Sequence, residues 1–218
     1  MKKNITIAID GTAASGKGTL AKKLAKEFKY AKLDTGKLYR ASALIIKEKD
    51  INYQNLKEII KIIKDYNFTD FDFNNDKLKS DKIGRLASLI SGYKELREIL
   101  LLSQRKFANK RHSKRLGVIL DGRDIGSVVL PEANIKFFVT ASLRVRAERR
   151  WKELISLGQS TIKRHVEKDL RDRDERDSKR KHSPLIISPD AVLIDTTNLN
   201  ADEVFLLAKN NVEEYLRY

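Results

Sequence analysis

Apolar positions along the chain follow two periods. Ile5, Ile7 and Ile9, with Thr6 and Ala8 between them, predict a short strand buried on both faces. Asp10-Gly11 ends it, and after a glycine-rich stretch Leu20, Leu24, Ala25 and Phe28 recur at helical spacing. Tyr30 to Leu33 predicts a weak strand ending in the turn Asp34-Thr35-Gly36, followed by a helix from about Lys37 to Lys49. The stretch 50–115 is less regular. Leu56, Ile59, Ile60 and Ile63 make an amphipathic helix, and Phe68 to Phe73 alternates with period two, predicting a strand before the turn Asn74-Asn75-Asp76. Helical spacing returns at Ile83–Ile90 and at Leu96–Phe107. Strands then follow at Leu116–Leu120 and Asn134–Thr140, and a helix runs from Ser142 to about Leu157. Gly158 to Ser160 breaks it. A long charged helix follows over Thr161 to about Lys181, stopped by Ser183-Pro184. Ala191–Asp195 is the last strand, and Asn200 caps a final helix reaching about Tyr215.

Strands separated by helices predict an α/β fold of three layers, with a five-stranded parallel sheet covered on both faces. Ligands in such sheets bind beyond the carboxyl ends of the strands. The glycine-rich loop, Asp34-Thr35, Asp121 to Asp124 and Asp195-Thr196 all fall there.

The loop itself carries the first chemistry. Gly11-Thr12-Ala13-Ala14-Ser15-Gly16-Lys17 fits the phosphate-binding pattern G-x4-G-K, in the strand–loop–helix context that the pattern requires. Backbone N–H groups turned inward at the positive end of a helix dipole hold a polyphosphate, and Lys17 adds a point charge for its β- and γ-phosphates. Gly18 occupies the position after Lys17, so the hydroxyl arrives one residue later, at Thr19.

Composition narrows the partners only partly. The 218 residues suffice for one well-buried domain. No run of about 18 apolar residues exists and the N-terminus lacks an apolar leader, which predicts a soluble, cytoplasmic protein away from membranes. Absence of cysteine excludes disulfides, thiol catalysis and thiolate metal sites. His112, His165 and His182 lack ligand spacing and are expected at the solvated surface. The net charge of +15 fits either nucleic acid or small phosphorylated ligands in a cleft.

The positions of the arginines say more than their number. On the helix 161–181, the apolar stripe Ile162, Val166, Leu170 continues as Arg173, Arg176, Asp177 and Arg180. A stripe that turns from apolar to arginine-rich points to a ligand; the alternative is a solvated ladder of Arg/Asp pairs. In the preceding helix Ala147, Trp151, Leu154 and Ile155 face one way, and Arg146, Arg149 and Arg150 the other, where they can clamp phosphates or stack on a base. Asp121 ends an apolar strand beside the loop, placed to hold a Mg²⁺-bound water. Aromatic residues do not interleave with these basic groups, which counts against nucleic acid.

GTAASGKGT, LDTGKLYR, DGRDIG, RDRDERDSKR and PLIISPDAVLIDTT, in that order, resemble the bacterial-type cytidylate kinases, P-loop nucleoside monophosphate kinases. The resemblance spans nearly the whole chain. It implies transfer of the γ-phosphoryl of ATP to CMP or dCMP with Mg²⁺, by a monomer. Gly11 to Thr19 would bind ATP with Arg146 and Arg149. Lys17, Arg123, Arg150 and Arg180 would act on the transferring group, and Thr19 and Asp121 would reach the metal through water. Thr35, Arg40 and Arg123, helped by Arg180, would hold the acceptor phosphate. Tyr39, Arg173 and Asp177 would contact the ribose, and Ser88, Arg97 and Asp124 the cytosine edge. Cytosine has a donor at N4, suiting Asp124, and acceptors at N3 and O2, suiting Arg97.

The same resemblance divides a single kinase domain, 1–218, into a core of about 1–35, 116–145 and 183–218, a monophosphate-binding insertion of about 36–115 and a lid of about 146–180. After about Tyr66 the insertion has room for one strand or hairpin where the family often carries a three-stranded sheet. Two alternatives compete: a P-loop kinase for UMP, another nucleotide or a hydroxyl metabolite, and a basic nucleic-acid-binding P-loop protein.

Overall fold

The computed structural model describes residues 5–68, 71–110, 112 and 116–217. Five strands, β1 (Ile5–Gly11), β2 (Ala31–Asp34), β3 (Gly117–Asp121), β4 (Ile135–Thr140) and β5 (Val192–Asp195), form one parallel sheet in the order β2-β3-β1-β4-β5. Among the described residues eight α-helices accompany it: α1 (Lys17–Glu27), α2 (Thr35–Glu48), α3 (Leu56–Asp65), α4 (Asp81–Ile90), α5 (Lys94–Asn109), α6 (Leu143–Ser156), α7 (Lys163–Lys179) and α8 (Ala201–Arg217).

The pleat of β1 divides the core. Ile7 and Ile9 pack with Leu20, Ala21 and Leu24 of α1 and with Val204, Ala208 and Val212 of α8. Ala8 faces the other layer, with Val118, Leu120, Ala108, Ile125 and Val129. Helices α2 to α5 bury a core of their own that includes Ile46, Ile59, Ile63, Ile83 and Leu96, each at most 2% exposed. Burying each such side chain contributes about 1.5–3 kcal/mol to holding these helices together. A smaller cluster, Ala13, Ala147, Leu154, Val166 and Leu170 with Trp151, lies between α6, α7 and the glycine-rich loop.

Short polar side chains set most helix starts. Asp34, Asn55, Ser80 and Ser142 accept from N–H groups in the first turns of α2, α3, α4 and α6. α1, like α5 and α7, has no side-chain cap; Gly16 (φ +96°) precedes it at the end of the glycine-rich loop, which leaves its first N–H donors to a ligand.

Four sequence expectations are corrected. The strand over 68–73 does not form at its described residues 68 and 71–73; positions 69 and 70 lie outside the described residues. No neighbouring strand offers a ladder, and the period-two aromatics instead gather with Tyr66, at ring separations of 5.3 Å to Phe68 and 6.2 Å to Phe71. A short 3₁₀ turn at Asp76–Lys79 follows, in place of the predicted strand or hairpin. Ile162 does not join the stripe of α7: it precedes the helix and is 57% exposed, and the stripe begins at Val166. On α6, Ile155 is exposed and Arg146 is buried beside Ala147, so the two faces are rotated from those predicted. His112 is half-buried, its ring 4.5 Å from Phe107.

Candidate active site

β1 ends beneath the glycine-rich loop. Gly11 has φ +149°, and a Cβ there would lie 1.9 Å from the carbonyl oxygen of Val139, so only glycine lets β1 turn this close to β4. Residues 14 to 20 line a cavity of about 490 Å³, with Arg149 and Arg150 of α6 and the segment Thr196 to Ala201 opposite. Arg149 donates to the hydroxyl of Thr196 (2.8 Å) and to its carbonyl (2.7 Å). Thr196 in turn donates to the carbonyl of Ser15 at 2.9 Å, which ties the end of β5 to the loop. Arg150 reaches across to the carbonyl of Lys79 (3.3 Å) and to Glu153 (2.8 Å).

Arg146 takes a different place from its neighbours. It donates to the carbonyls of Ala141 (2.8 Å) and Ala13 (3.3 Å) and to Asp174 (2.6 Å), holding the loop from beneath without lining the cavity. Helical spacing does not separate the three, since 146, 149 and 150 share one face; Arg146 lies a turn nearer the start of α6, where Ala141, Ala13 and Asp174 hold it.

Lys17 donates to the carbonyl of Thr12 at 3.1 Å. Burial, then Arg123, pushes its amine down; Asp121, buried and near Asp34, is pushed up. Both groups are therefore poorly stabilised as ions until phosphates and counter-charge arrive. Thr12 Oγ1, Ser15 Oγ and Asp121 Oδ1 are buried without a hydrogen-bond partner. A magnesium–triphosphate suits these groups. Asp121 lies under Gly18, where a Cβ would sit 3.5 Å from its Oδ2. Thr19 is exposed on the cavity wall. Among the described residues no group of three acidic or histidine side chains could cage a metal.

On the other side of Lys17, four guanidiniums share two carboxylates. Arg97 donates to Asp124 at 2.5 Å, both nearly buried, and Arg180 lies 4.0 Å from the same carboxylate. Asp177, 3% exposed, accepts from Arg123 at 2.9 Å, with Arg173 at 3.7 Å and Arg180 at 3.8 Å. Burial raises Asp177, but the three arginines outweigh it and hold the carboxyl below its ordinary range. Arg97 Nε, Arg173 Nε and Arg180 Nη2 are buried without a hydrogen-bond partner. The solvated-ladder alternative therefore fails for the buried part of α7 and holds for its outer edge, where Arg171 pairs with Glu167 and Lys179 with Glu175.

The remaining predicted residues surround this cluster. Tyr39 lies under Arg97, ring to guanidinium 5.4 Å, and burial pushes its phenol up to about 12. Thr35 donates to the carbonyl of Asp121 at 2.8 Å, joining the ends of β2 and β3. Arg40 donates to the carbonyls of Leu78 (2.5 Å) and Ser80 (3.2 Å), with its guanidinium in the space a Cβ on Gly84 would occupy, 2.8 Å away. Ser88 is buried on α4 and accepts from Arg176.

Sequence reasoning missed Asp10. Its carboxylate is 4% exposed and accepts from the N–H groups of Ile125 and Gly126, both at 2.7 Å, fixing the loop that carries Arg123 and Asp124. Burial raises it to about 6 despite those two bonds. The available signal was an acid at the last inward position of an apolar strand, where an unpaired charge would be costly. Thr196 and the residues after it, at the end of β5, were noted only as a strand end.

This geometry agrees with what the chain is similar to. The family profile described as cytidylate kinase matches residues 7–214. A cytidylate kinase of Rhodospirillum rubrum is 43% identical over 93% of this chain and 94% of its own length. One from Fusobacterium nucleatum is 39% identical over 97% and 98%. An uncharacterized protein from Eubacterium ventriosum, 14% identical, superposes with a TM-score of 0.55 over 96% of this chain and 99% of its own, a likeness of fold. With the phosphate loop and the arginine cluster placed on either side of Lys17, the chain belongs to the cytidylate kinase family.

Proposed function

We propose that the protein transfers the γ-phosphoryl group of ATP to CMP or dCMP. One observation carries the acceptor side. Arg97, Arg123, Arg173 and Arg180 against Asp124 and Asp177 leave two uncompensated positive charges, the complement of a phosphate-monoester dianion. The relatives named cytidylate kinase supply the base.

In this reading the loop amides of residues 14–19 and Lys17 hold the β- and γ-phosphates of ATP in the cavity, between Arg149 and the Thr196–Ala201 segment. Thr19 and Asp121 would hold Mg²⁺ through water, and the ion would supply counter-charge for the donor phosphates. An oxygen of the acceptor phosphate forms a bond to the γ-phosphorus as the β–γ bridging bond breaks, giving ADP and CDP. No side chain needs to become covalently linked, because positioning and charge neutralisation carry such transfers. Arg123 and Arg180 neutralise the acceptor side and Arg150 the donor side; Thr35 and Arg40 complete the phosphate site. Arg173, Asp177 and Tyr39 take the ribose. Asp124, Arg97 and Ser88 take the cytosine edge.

We assign the body α2–α5 to acceptor binding and the pair α6–α7 to a lid that excludes water from the transfer. We propose further that the protein works as a monomer in the cytoplasm, with no nucleic acid as partner. No helix among the described residues is long and apolar enough to cross a membrane. Incubation with ATP, Mg²⁺ and CMP, followed by ³¹P NMR, tests the reaction. CDP and ADP in equal amounts are expected, and ADP without CDP would reduce the protein to an ATPase.

A further inference from the structure

Arg176 belongs to the stripe of α7, yet neither the donor cavity nor the acceptor cluster uses it. Its Nε and Nη2 both donate to the hydroxyl oxygen of Ser88, each at 3.3 Å, which bridges α7 to α4. Ser88 is 5% exposed, and its backbone carbonyl is engaged by the Ser91 hydroxyl at 2.8 Å. Arg97 donates to the carbonyl of Ser91 at 3.2 Å and to Asp124 at 2.5 Å, so Ser88, Arg97 and Asp124 form one connected polar patch.

A hydroxyl oxygen has two lone pairs and one proton. Two N–H groups from one planar guanidinium fill the lone pairs and leave only the proton to offer. We propose that Arg176 is a positioning residue that fixes the Ser88 hydroxyl as a donor and thereby contributes to base selection. This rests on the assignment of the patch to the cytosine edge. Cytosine presents an amine donor at N4, for Asp124, and bare acceptors at N3 and O2, for Arg97 and a hydroxyl locked as donor. Uracil carries N–H at N3 and a carbonyl at O4. Its N3–H then meets a hydroxyl that cannot accept, and its O4 meets a carboxylate. A site rejects a near-isostere most strongly when its own polar groups cannot turn to suit it. Without Arg176 the Ser88 hydroxyl is free to rotate and accept from uracil N3–H.

Steady-state kinetics with CMP and UMP on Arg176→Ala, Ser88→Ala and the double variant test this. Arg176→Ala is expected to narrow the CMP/UMP ratio of kcat/KM about tenfold, with most of the loss on CMP. In the Ser88→Ala background the same change should leave the ratio within about twofold, since no hydroxyl remains to orient. Arg176→Lys, which offers no planar fork, should fall between wild type and alanine. Equal losses on both acceptors would mean that Arg176 only braces α7 against α4, and a ratio change that persists without Ser88 would place its action elsewhere; either overturns the proposal. Wild-type protein that phosphorylates neither acceptor would refute the functional assignment itself.

Discussion

Replacing Asp177 by asparagine tests the arginine cluster most severely. Asp177 is nearly buried and lies 2.9 Å from Arg123, 3.7 Å from Arg173 and 3.8 Å from Arg180. Asparagine keeps the shape and one acceptor oxygen but removes the only carboxylate that, among the described residues, lies within 4 Å of Arg123 and Arg173. Stripping one partner from a buried ion pair costs about 3–5 kcal/mol, because the remaining charges stay desolvated and unpaired. Arg173, a quarter exposed, can recover some water, which favours the lower end. In a protein of this size each kcal/mol moves Tm by about 2–4 °C, so a fall of about 6–12 °C is expected for about 3 kcal/mol.

The pH dependence has a definite sign. The arginines depress the folded-state pKa of Asp177, so its contribution is fully present above the ordinary carboxylate value of about 3.9 and is lost as pH falls below it. Urea unfolding of wild type and variant at neutral pH, then at steps down to the acid limit of folding, measures the gap. It should be constant at neutral pH and shrink only in acid. A neutral gap under about 1 kcal/mol would show that the cluster is solvated and that its geometry is no ligand site.

Lys17→Ala should abolish transfer while leaving CMP affinity within about threefold, by calorimetric titration; a variant keeping over about a tenth of wild-type kcat, a loss of only ~1.4 kcal/mol, would contradict the role of the loop. Asp124→Asn should narrow the CMP/UMP ratio of kcat/KM by at least about tenfold, and an unchanged ratio would move base reading to Arg97 alone. Asp10→Asn turns an amine against one of the two loop N–H groups, losing a charge-assisted bond of about 1.5–3 kcal/mol. It should raise KM for CMP more than for ATP, and parallel rises would make Asp10 a general support.

The sheet was legible because four of the five strands end at a chemical mark, Gly11, Asp34, Asp121 or Asp195, and because β1 and β3 are predominantly apolar. The segment after Tyr66 was misread because aromatic alternation looks the same for a strand and for a loop folding its rings onto a helical core; only a neighbouring strand distinguishes them. The inward course of α7 showed in the change from Val166 and Leu170 to Arg173 and Asp177. Its pairings did not: Asp174 serves Arg146, Asp177 serves Arg123, and Arg176 serves Ser88, all through contacts more than 27 residues apart in sequence. Periodicity gives the face of a helix. What meets that face is decided by the fold of the rest.

The most direct test is a panel of acceptors. With saturating ATP and Mg²⁺, coupled ADP release gives kcat/KM for CMP, dCMP, UMP and AMP on the unmodified chain. The account predicts CMP and dCMP as the leading acceptors, with UMP at least about tenfold lower and AMP lower still. UMP or AMP equal to CMP would contradict it: uracil reverses the donor and acceptor that Asp124, Arg97 and Ser88 are arranged to meet, and adenine, which does pair an amine with a ring acceptor, is a larger ring system with no counterpart of the cytosine O2.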